Sequence, residues 1–293
     1  MSASAGRSFT VARIVRRAVR QSYERLVAHE ADLRIADDPE SVHQARVATR
    51  RLRSDLRTFQ RFLSERWTAD LSADLRWLGS ELGAVRDIEV QRDRLRAHAA
   101  QLPESEADAA QRVVRRLDAD REAARFDLLA TLTQARYGYV RDKLAMAAEA
   151  PAFNDAACEK ASVALMPVVR GRWTRVRRAV DQLGDNPSDD ALHRVRVRAK
   201  QCRYAAEACE PAFGKSARSL ARSMAKLQDV LGEHQDATVA IDWLTKTAHE
   251  CSPAEAFAIG MLAQVERNAA AGARAAFPAV WRAVDTKRGR GWL

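Results

Sequence analysis

Between Val42 and Phe59 the sequence reads VHQARVATRRLRSDLRTF, a histidine followed by five arginines. On an α-helix, at about 100° per residue, His43, Arg46, Arg50, Arg53 and Arg57 fall within an arc of roughly 80° and form a cationic row about 21 Å long. Arg51 stands beside the row. Guanidinium groups spaced about one per turn suit an anion that itself repeats, because each planar fork can grip phosphate oxygens bidentately without reading any base or side chain. No acid interrupts this face, although mixed signs would gain favourable i,i+4 pairs, so the row carries a repulsion that a bound anion would relieve. A solvated basic surface is the plainer alternative. The far side of the same helix, with Ala45, Ala48, Leu52, Phe59 and Leu63, reads as an apolar stripe against a core.

The motif occurs twice. VHQARVATRRLR from Val42 aligns with LHRVRVRAKQCR from Leu192 at an offset of 150 residues, pairing His43 with His193, Arg46 with Arg196, Arg50 with Lys200 and Arg53 with Arg203. LGAVRDIEV from Leu82 aligns with LGEHQDATV from Leu231 at an offset of 149 residues, pairing Gly83 with Gly232 and Asp87 with Asp236. The second row is shorter, since Glu207 replaces Arg57, and Gln201 and Cys202 replace Arg51 and Leu52. Further basic positions that could extend the patch are Arg13, Arg17 and Arg20 with Arg16 near the start, Arg172, Arg175 and Arg178 later, and Arg86 and Lys226 close to the LG motifs. Asp87 and Asp236 are expected to orient arginines or cap a turn.

His43 and His193 admit three roles. Metal ligation is disfavoured because Val47 and Val197 occupy the i+4 positions, no HExxH or Cys/His cluster occurs, and neighbouring arginines would repel a cation. A structural histidine donating to a backbone carbonyl and a donor to a bound phosphate both remain open, the second helped by the positive end of a helix N-terminus.

The elements that must carry these residues are helices. Gly and Pro number only 12 and 8, aromatics are 6%, and no alternating strand pattern stands out. Prolines at helix-boundary positions divide the chain into eight expected helices, roughly 9–34, 40–63, 67–100, 104–148, 156–183, 188–210, 215–249 and 254–284, with Pro278 bending or restarting the last. Each motif follows a proline turn, DDPES or DNPSDDA. The repeat therefore predicts an all-α fold of two four-helix halves, about 9–148 and 156–284, related by a pseudo-twofold axis. Residues 1–8 are expected as a disordered tail and 285–293 as a basic tail. Trp67, Trp77, Trp173 and Trp243 are expected in the core.

Lys and Arg outnumber Asp and Glu by 49 to 39, giving a net charge of +10 and a pI near 9.9. That balance predicts a polyanionic partner in general, whether nucleic acid, anionic membrane or phosphate polymer. Cys158, Cys202, Cys209 and Cys251 form no CxxC pair, the start lacks a secretory h-region, and no apolar run nears the roughly 20 residues of a membrane span. The expectation is a cytoplasmic protein with buried, reduced thiols and no membrane span.

Taken together, VHQARVATRRLRSDLRTF with LGAVRDIEV, and LHRVRVRAKQCRYAAE with LQDVLGEHQD, resemble the CHAD family, the conserved-histidine α-helical domain. The resemblance covers about Phe9 to Val284. It implies an all-helical fold of two pseudo-symmetric four-helix bundles and binding of inorganic polyphosphate in a basic central groove or pore, with association to polyphosphate granules. Carried onto this chain, the implied contacts are His43, Arg46, Arg50, Arg51, Arg53, Arg57, His193, Arg196, Lys200 and Arg203. Many relatives carry a CYTH domain with an ExExK motif; that motif is absent here, so the chain resembles a standalone member. No cofactor, metal or enzymatic activity is expected, because no P-loop and no clustered acids accompany the arginines. The alternatives are an RNA- or DNA-binding protein on the same patch and a metal-dependent polyphosphate hydrolase.

Overall fold

A computed structural model describes residues 9–35, 38–286 and 291–293. Among these residues the chain is helical, and its only β pairings are isolated bridges between Thr10 and Lys160 and between Leu63 and Phe153. In the N-terminal half, α1 (Val11–Ala28) and the short α2 (Glu30–Ile35) lead to α3 (Pro39–Phe59) and the long α4 (Glu65–Ala99). The chain then forms α5 (Glu104–Val114), α6 (Arg116–Thr133) and α7 (Ala135–Glu149). The C-terminal half comprises α8 (Ala161–Ala164), α9 (Met166–Asp181), α10 (Asp189–Ala208), α11 (Glu210–Phe213), α12 (Lys215–Thr247) and α13 (Pro253–Val284).

The two motif helices begin where the sequence places their start signals. Asp38 caps α3 by accepting from the backbone N–H of Glu40 and Ser41, both at 3.1 Å, with Pro39 in the first turn. Ser188 caps α10 by accepting from Ala191 N–H at 3.3 Å. The apolar stripe of α3 is buried as the periodicity predicts, including Ala45, Ala48, Leu52 and Phe59. On α10 the corresponding face buries Leu192, Val195, Ala199 and Cys202.

The helix expected over 104–148 is instead three helices, interrupted at Arg115 and at Gln134, where the backbone turns extended (φ −70°, ψ 145°). The break has a packing cause. A continuous helix of that length would run about 68 Å, whereas the three pieces reach different partners: α5 lies on α13, α6 on α4 and α7 on α1. The first expected helix likewise ends at His29, and Leu165 separates α8 from α9, so that Pro167 opens α9 instead of interrupting it. Gly214, at φ 55°, turns the chain between α11 and α12. The last helix runs continuously through Pro278.

α3 packs against α1 and α4, α10 packs against α9 and α12, and α3 meets α10 directly. Apolar side chains form two clusters. The larger draws on both halves, from Val11 to Val284. A smaller one joins the far ends of α4 and α12 to α5 and α13 through residues such as Leu95, Val113, Leu244 and Leu262. The cores thus do not divide at the boundary between 9–148 and 156–284. Glu266, fully buried on α13, ties the second cluster together by accepting from Arg94 Nε at 2.8 Å and meeting His98 Nδ1 at 2.8 Å.

The expected N-terminal tail, 1–8, and residues 287–290 of the C-terminal one lie outside the described residues. The end of the chain returns to the body: Trp292 packs its ring 5.4 Å from that of Phe213, and Arg170 Nε donates to the Leu293 carbonyl. Trp173 is buried and stacks on Trp281 at 5.7 Å, while Trp67, Trp77 and Trp243 are only partly buried. Cys202 and Cys209 are buried free thiols; Cys158 is exposed and Cys251 half-buried, contrary to the expectation that all four would be buried. No helix among the described residues is long and apolar enough to cross a membrane.

Candidate functional site

Where α3 meets α10, and α4 and α12 close the sides, a cleft of about 430 Å³ opens. His43, Arg46 and Arg50 reach it from α3, Arg196 and Lys200 from α10, Arg86, Asp87 and Arg94 from α4, and Gln235 and Asp236 from α12. Residues separated by 150 positions in sequence therefore line one space. The paired glycines explain part of this geometry. A Cβ built on Gly83 would fall inside contact distance of Arg46 Nη1, and one on Gly232 would lie 3.8 Å from Arg196 Nε, so in each half the motif arginine crosses the glycine of the next long helix.

Partners divide the cations into two groups. Arg46 donates from Nη2 to Asp87 Oδ1 at 2.8 Å, so Asp87 orients that guanidinium. Arg86 meets the fully buried Glu89 at 3.2 Å, and Arg94 is held between Glu233 and Glu266. Arg50, Arg196 and Lys200, by contrast, make no salt bridge among the described residues, although the charge of Arg196 acts on Asp236, and Arg50 Nε is buried without any hydrogen bond. The Arg50 guanidinium lies 6.0 Å from the Tyr204 ring, where a cation–π contact adds a modest attraction. Burial, reinforced by Arg50, Arg196, Arg46 and Arg203, pushes the Lys200 ammonium down to about 7. His43 is held below its ordinary range for the same reasons, first burial and then Arg86. Burial raises the Asp236 carboxyl, against the pull of Arg196 and Arg94. Such a cleft stores positive charge that its own acids do not neutralise.

The remaining expected positions lie elsewhere. Arg53 and Arg57 line a neighbouring hollow of about 570 Å³ with Arg61 and Arg76, and burial, then Arg57 and Arg76, holds Arg53 below its usual value. Arg51 and Arg203 line a third hollow, of about 680 Å³, together with Arg17. There Glu207 bridges them, accepting from Arg51 Nη1 on one oxygen and from Arg203 Nε at 2.8 Å on the other. His193 is exposed and its Nδ1 contacts the Gln235 Oε1. Arg13 lies over the Phe9 ring, Arg20 pairs with Glu24 at 2.9 Å, and Lys226 is exposed on α12; none of the three lines the cleft. Sequence reasoning missed Arg94 and Gln235. Gln235 sits in the quoted LGEHQD motif and could have been found there; Arg94 carries no signal, because its place depends on where α4 crosses α12 and α13.

No group of three or more His, Cys, Asp or Glu is gathered as a metal site among the described residues. The arrangement offers several cationic donors, some of them partly buried.

The CHAD domain family profile matches residues 17–245. An uncharacterized protein of Mycobacterium tuberculosis, from strain CDC 1551 / Oshkosh, is 32% identical over 285 residues, covering 92% of this chain and 53% of its own length; its counterpart in strain H37Rv matches equally. The chain thus spans about half the length of these curated relatives. Among solved structures, PptA from Streptomyces chartreusis superposes with a TM-score of 0.80 at 23% identity, covering 94% of this chain and 100% of that one. The CHAD domain from the plant Ricinus communis superposes at 0.74 and 23% identity, covering 99% and 94%. With the all-helical fold in hand and the profile spanning both motifs, the chain belongs to the CHAD domain family.

Proposed function

We propose that this chain binds inorganic polyphosphate, or a polyanion of the same repeating phosphate chemistry, across the cleft between α3 and α10, without transforming it. One observation carries the reading: Arg50, Arg196 and Lys200 converge from two helices without a salt bridge to any carboxylate among the described residues, in a cleft whose Arg and Lys side chains outnumber its two acids, Asp87 and Asp236. A phosphate chain supplies oxygens in series, so several guanidinium forks can engage at once and the stored repulsion is released. His43, Arg46, Arg53 and Arg57 extend the contact along α3, His193 borders it through Gln235, and Arg51 and Arg203 bind once Glu207 yields. The family resemblance supports polyphosphate as the ligand, and the chain's charge of +10 supports steering of any polyanion towards it. Association with cytoplasmic polyphosphate granules follows from the same chemistry.

A nucleic-acid reading shares the patch but lacks aromatic platforms for stacking bases, since Tyr204 near Arg50 is itself buried. Competition separates the two. Long-chain polyphosphate should displace labelled single-stranded RNA at equal phosphate concentration and salt; displacement in the opposite direction would favour the nucleic-acid reading. Phosphate release after incubation with Mg²⁺ or Mn²⁺ would overturn the non-enzymatic part.

A further inference from the structure

On the outer side of α9 and α10 lies a separate hollow of about 460 Å³ lined by Arg175 and Arg178 from α9 and Arg194 and Arg198 from α10. No acid lines it, all four guanidiniums are exposed, and none has a carboxylate partner among the described residues. That is not the general habit of α9, where Arg177 pairs with Asp181 at 3.6 Å. Architecture does not require the cluster either: at the repeat offset, Arg194 and Arg198 correspond to Gln44 and Ala48 of α3. Arg194 and Arg198 lie about half a turn round α10 from Arg196 and Lys200, so the cluster is not a wall of the cleft.

A buried residue links the cluster to the row. Arg172, 9% exposed, donates from Nη2 to the Arg57 carbonyl at 3.0 Å and from Nη1 to Gln201 Oε1 at 3.4 Å. Its guanidinium feels the charges of Arg175, Arg57 and Arg198 together, and burial with these neighbours lowers its proton affinity. The Arg57 end of the α3 row and the outer cluster therefore share one positive field, with Arg172 between them.

We propose that Arg175, Arg178, Arg194 and Arg198 form a second polyanion subsite, which takes the part of a long polyphosphate chain that runs past the Arg57 end of the α3 row. The inference rests on the polyphosphate reading above and deepens it. A tripolyphosphate occupies the cleft alone, whereas a long chain reaches both sites and gains affinity through the tether, since the second contact is intramolecular. Each cation that meets a phosphate also releases counterions, and loss of one contact lowers the salt slope by about 0.7 for a single-stranded polyanion.

The test compares Arg194→Glu with Arg198→Glu, as a double variant, against Arg115→Glu with Arg267→Glu, which makes the same charge change at exposed positions away from both sites. Titration of each with tripolyphosphate and with long-chain polyphosphate at several salt concentrations gives affinity and slope. The first double variant is expected to lose roughly tenfold in long-chain affinity and about 1.4 in slope, relative to the control, with tripolyphosphate binding equal in the two. Equal losses in both double variants would reduce the effect to net charge and overturn the inference. Unchanged long-chain binding would overturn it as well. If the unaltered protein bound neither ligand, the polyphosphate reading itself would fall.

Discussion

Lys200 sits among four arginines in a partly buried position, and burial with these neighbours pushes its ammonium down to about 7. A polyanion in the cleft adds the opposite charge and raises that affinity for a proton, so binding takes up a proton above neutrality. Affinity should therefore fall by up to tenfold per pH unit above about 7, and Lys200→Arg should flatten the profile. Calorimetry in two buffers of different ionisation heat reads the proton directly; equal heats at pH 8 would contradict the prediction. Asp55 shows the opposite case. Burial pushes its carboxyl up to about 7, with Arg51 pulling down and Glu207 pushing up, and Oδ1 has no partner. The folded protein thus holds this proton more tightly than the unfolded chain, whose carboxyl titrates near 3.8. Stability from this group is complete below about 4 and is lost as pH rises through about 7, a difference on the order of 4 kcal/mol. Asp55→Asn should raise the melting temperature at pH 8, with the gain closing as pH falls towards 4. A gain independent of pH would point to another cause. Asp55 is buried beside the apolar residues of α3, and its missing partner has no signal in the sequence, because that depends on what packs against this face.

Among the elements, α4 and α12 position the motif arginines through Gly83 and Gly232. Gly83→Ala gains helix propensity of up to about 1 kcal/mol, yet it displaces Arg46 from Asp87 and should weaken polyphosphate binding with helicity unchanged. Gly232→Ala meets Arg196 only at ordinary contact distance and should bind nearly as the unaltered protein does. Equal behaviour of the two variants would remove the role assigned to Gly83. On α13, Glu266→Ala leaves Arg94 of α4 without its buried partner and should cost about 3–5 kcal/mol in denaturant unfolding. Helix starts were legible where a cap and a proline coincide, as at Asp38–Pro39 and Ser188. The breaks at Arg115 and Gln134 were not, because both are ordinary helix-compatible residues and the interruption is set by which neighbour each segment packs on.

Across the molecule, the motif residues of the two halves come together while the apolar cores do not separate by half. His43, Arg46 and Arg50 line one cleft with Arg196 and Lys200, while the apolar clusters mix both halves. The single continuous row expected on α3 is divided by its surroundings, since Arg53 and Arg57 face a second hollow; Arg51, beside the row, is taken by Glu207. Helical angle alone cannot foresee this, since it fixes direction about the axis and not the neighbour met there. The central claim is that unpaired cations on α3 and α10 hold a phosphate polymer. Its most direct test is titration of long-chain polyphosphate into the unaltered protein and into the double variant Arg50→Glu with Arg53→Glu, at low and high salt, with helicity followed by circular dichroism. Tight binding that weakens steeply with salt, and its loss in the double variant at unchanged helicity, is the result predicted. Binding that survives the double substitution, or that ignores salt, would contradict the claim.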